Sequence, residues 1–391
     1  ARDRTRSVAP SPRGPAMKYS PQADPTLGCE WELQRLREDS LELADGILAF
    51  SEELGEYALI KPEFLQCCIE INTPPVEAAA DLEPALNSVL SRIDAHAKPM
   101  GVCLAAAGTH PFDRKPAIVT PSERYLRLAD ERSGAAAIHP VTFATHVHVA
   151  CRDGDSAIRA MRRIAPCLPV LLAIGANSPF WHGVDTGYAC FRQRLLASNP
   201  TYGLPPYFES WEHFGRMVEA GVRSRTIESF RDLHWDIRPH GDLGTLEIRV
   251  FDAQIDAHRI AQIAAFVRAL VVIAADSRMP DSAFPARLPH WMELDNHFRA
   301  CKFGLGARII TSVSGDTEPM MQVVELLFDL AGRESETLGD SELLGGLERS
   351  LTSRNGADLQ RSAWLQHHSC KAVTRFLVDS LHHPTSLRAT A

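Results

Sequence analysis

The 391-residue chain has no apolar run long enough to cross a bilayer. Its longest, Ile263 to Ala275, is interrupted by Arg268 and falls short of the ~20 residues that a spanning helix needs. A buried helix is therefore predicted there, and no membrane partner. Basic residues are in deficit: 41 Lys and Arg face 49 Asp and Glu, a formal net charge of −8. Affinity for a phosphate backbone rests on clustered cations, so no nucleic-acid partner is expected, and an anionic substrate requires a local reversal of charge. The nine cysteines are scattered and never form a CxxC pair. That usage speaks against a disulfide framework or zinc ribbon and for reduced thiols in the cytoplasm. GxxxxGK[ST], GxGxxG after a strand, and HExxH are all missing, which removes the P-loop, dinucleotide-binding and zincin readings.

What is present is an ordinary globular composition, 45% hydrophobic and 23% charged. Length alone suggests two or three domains. No repeat or low-complexity linker divides the chain, however, so one catalytic domain is expected over 26–381, with a sheet-bearing part at 26–255 and a mainly helical part at 256–381. Ala1 to Pro25 is rich in Arg, Pro and Ser and lacks the apolar core of a secretory signal. It is expected to be a flexible tail, with Met17 a candidate start, and 382–391 a second tail.

Strand-like segments fall at Leu27–Leu33, Gln66–Thr73, Val102–Ala107, Thr142–Ala150, His234–Pro239 and Thr245–Phe251. Leu82, Leu86, Val89, Leu90 and Ile93 have helical spacing after Asp81, closed by Lys98, Pro99 and Gly101. A helix over Asp155–Ala173 is interrupted by Pro166 and Pro169, and further helices are expected at 257–274, 291–311, 318–330 and 359–381. The segment Asn177 to Pro206, dense in Gly, Pro and aromatics, reads as a structured loop of the kind that carries binding residues. The pattern is that of an α+β domain, its strands in one sheet with helices packed on it.

Residues two apart in a strand share a face. Glu30 with Glu32, Glu70 with Asn72, His146 with His148, Asp236 with Arg238, and Glu247 with Arg249 are such pairs, separated by Trp31, Ile71, Val147, Ile237 and Ile248. A solvated sheet face is also polar, but it usually carries Thr, Lys and Gln rather than doublets of Glu and His. Four crowded carboxylates repel and have raised pKa values unless a cation neutralises them. Magnesium suits such a set, because it takes one or two carboxylates together with substrate phosphates. Arg238 and Arg249 then fit as clamps on phosphoryl oxygens. Two other readings stay open: a metal-dependent hydrolase using His146, His148 and the carboxylates, and a non-catalytic nucleotide or amino-acid sensor. No cysteine stands out as a nucleophile, and Cys29 is expected in the core.

Six ordered motifs, Thr26-Leu27-Gly28-Cys29-Glu30-Trp31-Glu32, Ile69-Glu70-Ile71-Asn72-Thr73, Thr145-His146-Val147-His148-Val149, Ala176-Asn177-Ser178-Pro179-Phe180-Trp181-His182-Gly183, Trp235-Asp236-Ile237-Arg238-Pro239 and Gly244-Thr245-Leu246-Glu247-Ile248-Arg249, resemble those of the type 2 glutamate–cysteine ligase family, also called YbdK-like carboxylate–amine ligases. The resemblance implies an antiparallel sheet of about six strands curled into a funnel with helices outside it, as in the glutamine synthetase and glutamate–cysteine ligase group. It implies ATP with Mg²⁺ or Mn²⁺, small-molecule acid and amine substrates such as glutamate and cysteine, and an acyl-phosphate intermediate. A homodimer is the working expectation for the assembly, apart from the resemblance. By the same resemblance Glu30, Glu32, Glu70, His148 and Glu247 are metal ligands, and Arg249 holds the transferring phosphoryl group with Glu247 beside it. Arg238 and Thr73 join the phosphate contacts, Arg192, Asn177 and Trp235 lie toward the substrates, and His146 stands behind the ligands. Cys29 departs from the family's usual small aliphatic residue.

Overall fold

The structure is a computed structural model that describes residues 17–54, 59–133, 141–351 and 354–382. Most of the two expected tails, 1–16 and 383–391, lies outside the described residues. Met17 to Pro25, expected to be flexible, is instead tied to the body: Ser20 N donates to Gly241 O at 2.9 Å, Trp211 Nε1 to Met17 O at 2.8 Å, and Arg268 Nε to Pro25 O at 2.8 Å.

Seven strands form the main sheet: β1 (Leu27–Arg37), β2 (Ile60–Pro62), β3 (Cys68–Asn72), β4 (Val102–Ala105), β5 (Ala144–Ala150), β6 (Ile237–His240) and β7 (Thr245–Asp252). Every pairing is antiparallel, and the main path runs β6-β7-β5-β1-β3-β2. The central strand β1 meets β3 along one edge. Its other edge is shared by β5, over Leu27–Trp31, and β4, over Gln34–Arg37. The sheet thus has one strand more than expected, because the short β2 extends it beyond β3.

Alternation decides the two faces. Trp31, Ile71, Val147, Ile237 and Ile248 all point into the core at 0% exposure, each contributing ~1.5–3 kcal/mol on burial. Helices α1 (Leu82–Ala97), α2 (Gly154–Ile164) and α3 (Ala257–Ala275) pack on that face, and α4 (His290–Phe303) and α5 (Met320–Leu338) pack on helices outside it, α5 on α3. The five apolar positions picked out in α1 are all buried, and the helix gives way at Gly101, which takes φ 65°. Helix α2 begins on a capping box between Asp153 and Ser156. The apolar run read as too short from Ile263 is part of a longer helix: α3 starts at Ala257 and is long and apolar enough to span a membrane by length and composition. It is enclosed by α1, α2, α5 and β5, so the expected buried helix is what the structure shows.

Three helix boundaries depart from the sequence reading. The helix expected over 291–311 ends at Phe303, where Gly304 adopts φ 55°, and the chain re-enters a strand at Arg308–Ile310. The one expected over 359–381 is two helices, Gly356–His367 and Cys370–His382, broken at His368 with φ 48°. Helix α5 runs past 330 to Leu338, where Gly339 closes it in the left-handed region. The segment expected as the single strand His234–Pro239 is two short strands, His234–Trp235 and β6, interrupted at Asp236.

Within the apolar α3, Arg268 is a buried charge. Its Nη1 donates to Asp340 Oδ2 at 3.0 Å, and Asp340 Oδ1 accepts from Ala79 N at 3.1 Å. Removing one partner of a buried ion pair strands the other. Asp340→Ala is expected to lower the unfolding free energy by about 3–5 kcal/mol in urea denaturation. A loss below about 1 kcal/mol, the range of exposed pairs, would show that Arg268 finds solvent or another anion.

Candidate active site

The polar face of the sheet borders a cleft of about 540 Å³. Register explains who meets whom there. Glu32 stands opposite Glu70, Glu30 opposite His146, Glu247 opposite His148, and Arg238 opposite Glu247. The two glutamates of β1 therefore go to different neighbours and found two clusters. Glu30, His148 and Glu247 place ligand atoms within 4.8 Å of one another, and so do Glu32, Glu63 and Glu70.

The first cluster is compensated by protein cations. Arg238 Nε and Nη2 approach Glu247 Oε2 at 2.9 and 2.7 Å, and Arg249 Nη1 pairs with Glu247 Oε1. Burial pushes the Glu247 carboxyl up, yet Arg238, Arg249 and His148 hold it well below the usual carboxylate range. Desolvation pushes the half-buried Glu30 up, yet the His146 hydrogen bond and the neighbouring His148 hold it well below the usual carboxylate range. His146 Nδ1 lies 2.8 Å from Glu30 Oε2, and burial together with Arg249 lowers its pKa to about 4.

The second cluster has less relief. Burial and the neighbouring Glu63 raise Glu32 to about 8 despite Arg192, the Ala144 N–H at 2.6 Å and Arg249. Glu70 is driven up by burial, Glu63 and Glu30. Three carboxylates so placed suit a hard divalent cation, which oxygen ligands prefer to share. The first cluster suits one as well: the buried His148 Nε2 has no hydrogen-bond partner and faces Glu30 Oε1 at 3.4 Å and Glu247 Oε1 at 3.8 Å. His148 Nδ1 is 3.0 Å from Thr245 Oγ1, which fixes the ring with Nε2 toward the carboxylates.

The five residues expected to hold metal are thus all on this face, divided between two clusters. Glu63 was not legible as a sixth, because it follows the three-residue β2, whose Pro62 leaves no alternation to read. His146 belongs to neither cluster, so the two histidines do not form a chelating pair, and the hydrolase reading loses its motif. Arg192, Arg238 and Arg249 line the cleft.

Thr73, Asn177 and Trp235 do not, nor do the buried Glu247 and His148. Thr73 Oγ1 accepts from Cys29 N at 2.9 Å and so ties β1 to the end of β3. The Asn177 amide is used up in the core, donating to Ala106 O and Ala253 O at 3.2 and 2.8 Å and accepting from Gln360 Nε2 at 2.7 Å. Trp235 packs into an aromatic group with Phe208 and Phe214. Asp236 and Arg238 do not form the expected pair: the strand break at Asp236 turns its carboxylate to Gln193 and His297. Lys61, Arg124, Tyr125, Tyr202 and His234 complete the cleft without having been singled out by the sequence.

Comparison with known proteins places this arrangement. Residues 26–374 match the profile of glutamate–cysteine ligase family 2. A Trichormus variabilis protein provisionally named glutamate–cysteine ligase 2 is 36% identical over 374 residues, covering 95% of this chain and 96% of that one. A Thermobifida fusca protein with the same provisional name is 34% identical over 373 residues, 93% of this chain and 92% of its own. Among solved structures, the Francisella tularensis glutamate–cysteine ligase in complex with AMP superposes with a TM-score of 0.66 at 11% identity, over 92% of this chain and 88% of that one. A bifunctional glutathione synthetase from Pasteurella multocida gives 0.64 at 14% identity, over 91% of this chain and 52% of that one. These structures share the fold, an antiparallel sheet backed by helices, and the sequence matches go further: the chain belongs to glutamate–cysteine ligase family 2 and is a carboxylate–amine ligase.

Proposed function

We propose that the chain joins the carboxylate of one amino acid to the amine of another with ATP, through an acyl phosphate, with glutamate and cysteine as the substrates and Mg²⁺ as the cation, in the cytoplasm. The observation that carries this reading is the meeting of two carboxylate clusters and two arginines on one sheet face above a single cleft. Its volume of about 540 Å³ lies in the range of small-molecule sites.

In the first step a substrate carboxylate oxygen attacks the γ-phosphorus, and the bond to the bridging oxygen breaks with its electrons left on ADP. In the second the amine nitrogen attacks the acyl carbon, phosphate departs with the C–O electron pair, and the nitrogen gives up its proton to the released phosphate or to water. Arg249 and Arg238 stabilise the charge spread over the phosphoryl oxygens. Glu30, His148 and Glu247 on one side and Glu32, Glu63 and Glu70 on the other would hold Mg²⁺, whose contribution when bound is to neutralise the triphosphate. Arg192 gives donors to Val250 O and Arg249 O and, among the described residues, has no carboxylate closer than Asp252 at 4.0 Å, so its other N–H groups are assigned to a substrate carboxylate. No protein nucleophile is required: positioning and electrostatics supply the catalysis. All nine cysteines are free thiols, in keeping with the reduced setting assigned.

Two outcomes test the site. Glu247→Gln is expected to abolish ADP release with both substrates present while leaving the circular dichroism spectrum unchanged; a fully active variant would remove Glu247 from the metal set. The second concerns pH. Glu32, raised to about 8, binds a proton in the folded state that it has lost in the unfolded one, so it contributes stability that fades as pH rises from the ordinary carboxyl range through about 8. The metal-free protein is expected to lose melting temperature between pH 6 and 8 more steeply than Glu32→Gln, and Mg²⁺ or Mn²⁺ to restore the loss. Parallel slopes in wild type and variant, with no response to cation, would contradict the second cluster as a cation site.

A further inference from the structure

Helix α4 carries a buried polar pair that neither cluster uses. His297 Nε2 donates to Asp236 Oδ2 at 3.0 Å, and Gln193 Nε2 donates to Asp236 Oδ1 at 3.0 Å, all three side chains being buried. Burial alone would push the His297 imidazole down, but Cys301 and Asp236 raise its pKa to about 10.

Asp236 also reaches the cleft through its backbone. Its carbonyl accepts from Arg249 N at 2.8 Å. Arg249 and Val250 form the irregular stretch of β7, where the register with β5 shifts between Ile248 and Phe251. The remaining carbonyls of that bulge are taken from the same side: Arg192 Nη2 donates to Arg249 O at 3.3 Å, and Gln193 Nε2 to Val250 O at 3.2 Å. A bulge leaves backbone groups without ladder partners. Here Asp236, Gln193 and Arg192 supply the partners, and the backbone they hold is the one from which Arg249, on the same face as Glu247, reaches the Glu247 carboxylate.

We propose that His297 is a positioning residue for Arg249: by holding Asp236 it fixes the irregular backbone stretch from which the Arg249 guanidinium reaches Glu247 in the cleft. The kinetic consequence rests on the ligase reading above; the structural one does not. If His297 served only to fasten α4 to the body, its loss would cost stability without touching turnover selectively.

The test compares His297→Ala and His297→Gln with Asn296→Ala, the adjacent side chain of α4, whose amide clamps Ile310 instead at 2.8 and 2.6 Å. His297→Ala is expected to lower kcat for amine-dependent ADP release by about 100-fold while the KM for ATP stays within about threefold, as displacement of a reacting group by an ångström does. His297→Gln, which can donate to the same carboxylate, is expected to recover most of that loss. Asn296→Ala is expected to lower the melting temperature and keep kcat. In crystal structures Arg249 is expected to leave Glu247 in His297→Ala and to stay in His297→Gln. Should the alanine variant not fold, Asp236→Asn carries the same two expectations. The inference is overturned if Arg249 stays on Glu247 when His297 or Asp236 is replaced, or if kcat falls no further than in Asn296→Ala. A wild-type protein that releases no ADP with any acid–amine pair refutes the ligase chemistry, and the crystal structures then decide the positioning role alone.

Discussion

Crowding of negative charge on one face of an antiparallel sheet is the constraint around which this molecule is organised. Glu30, Glu32, Glu70 and Glu247 sit on adjacent strands because the opposite side of each strand is committed to the core through Trp31, Ile71, Val147 and Ile248. A slip of one residue in β1 would bury its glutamates and expose its tryptophan, so the hydrophobic alternation fixes the register and the register fixes the carboxylates. The charge is then dealt with unequally. Around Glu247 it is cancelled by Arg238, Arg249 and a histidine; at Glu32 and Glu70 burial and the neighbouring Glu63 raise the carboxyl pKa. That difference gives the two ends of the site different work. One end presents cations that phosphoryl oxygens can share, and the other presents oxygen ligands that a divalent cation completes.

The acidic composition of the chain acquires a location in this way. An overall charge of −8 would repel a nucleotide, and the arginines on β6 and β7 reverse the field only where the phosphates are proposed to lie. Arg238 and Arg249 reach that face by the ordinary alternation of their strands, and the backbone at Arg249 is set apart only in that β7 shifts register with β5 between Ile248 and Phe251.

Much of this was legible in the sequence because β-strand periodicity is short-ranged. The pairs Glu30/Glu32, His146/His148 and Glu247/Arg249 needed only the rule that alternate residues share a face, and the structure brings them to one surface. The failures share a cause, in that long-range contacts overrode a local pattern. Asp236 has the right spacing to pair with Arg238, but a strand break hands it to His297, 61 residues away. Glu63 carried no periodic signal, since it lies just past a three-residue edge strand, and it joins the cluster through the pairing of β2 with β3. Asn177 and Trp235 belong to the motifs that resemble the family's, yet their side chains serve the core, one saturated by hydrogen bonds and the other packed at an angle against two phenylalanines. The break at His368 had no glycine or proline to announce it.

The account stands or falls on transfer of a phosphoryl group to a substrate carboxylate. Glutamate labelled with ¹⁸O in its side-chain carboxylate, incubated with the protein, ATP, Mg²⁺ and cysteine, tests this directly when the released phosphate is analysed by mass spectrometry. The predicted result is one labelled oxygen in each phosphate formed together with the amide. Amide formation with unlabelled phosphate would contradict the acyl-phosphate route and the role assigned here to the arginines.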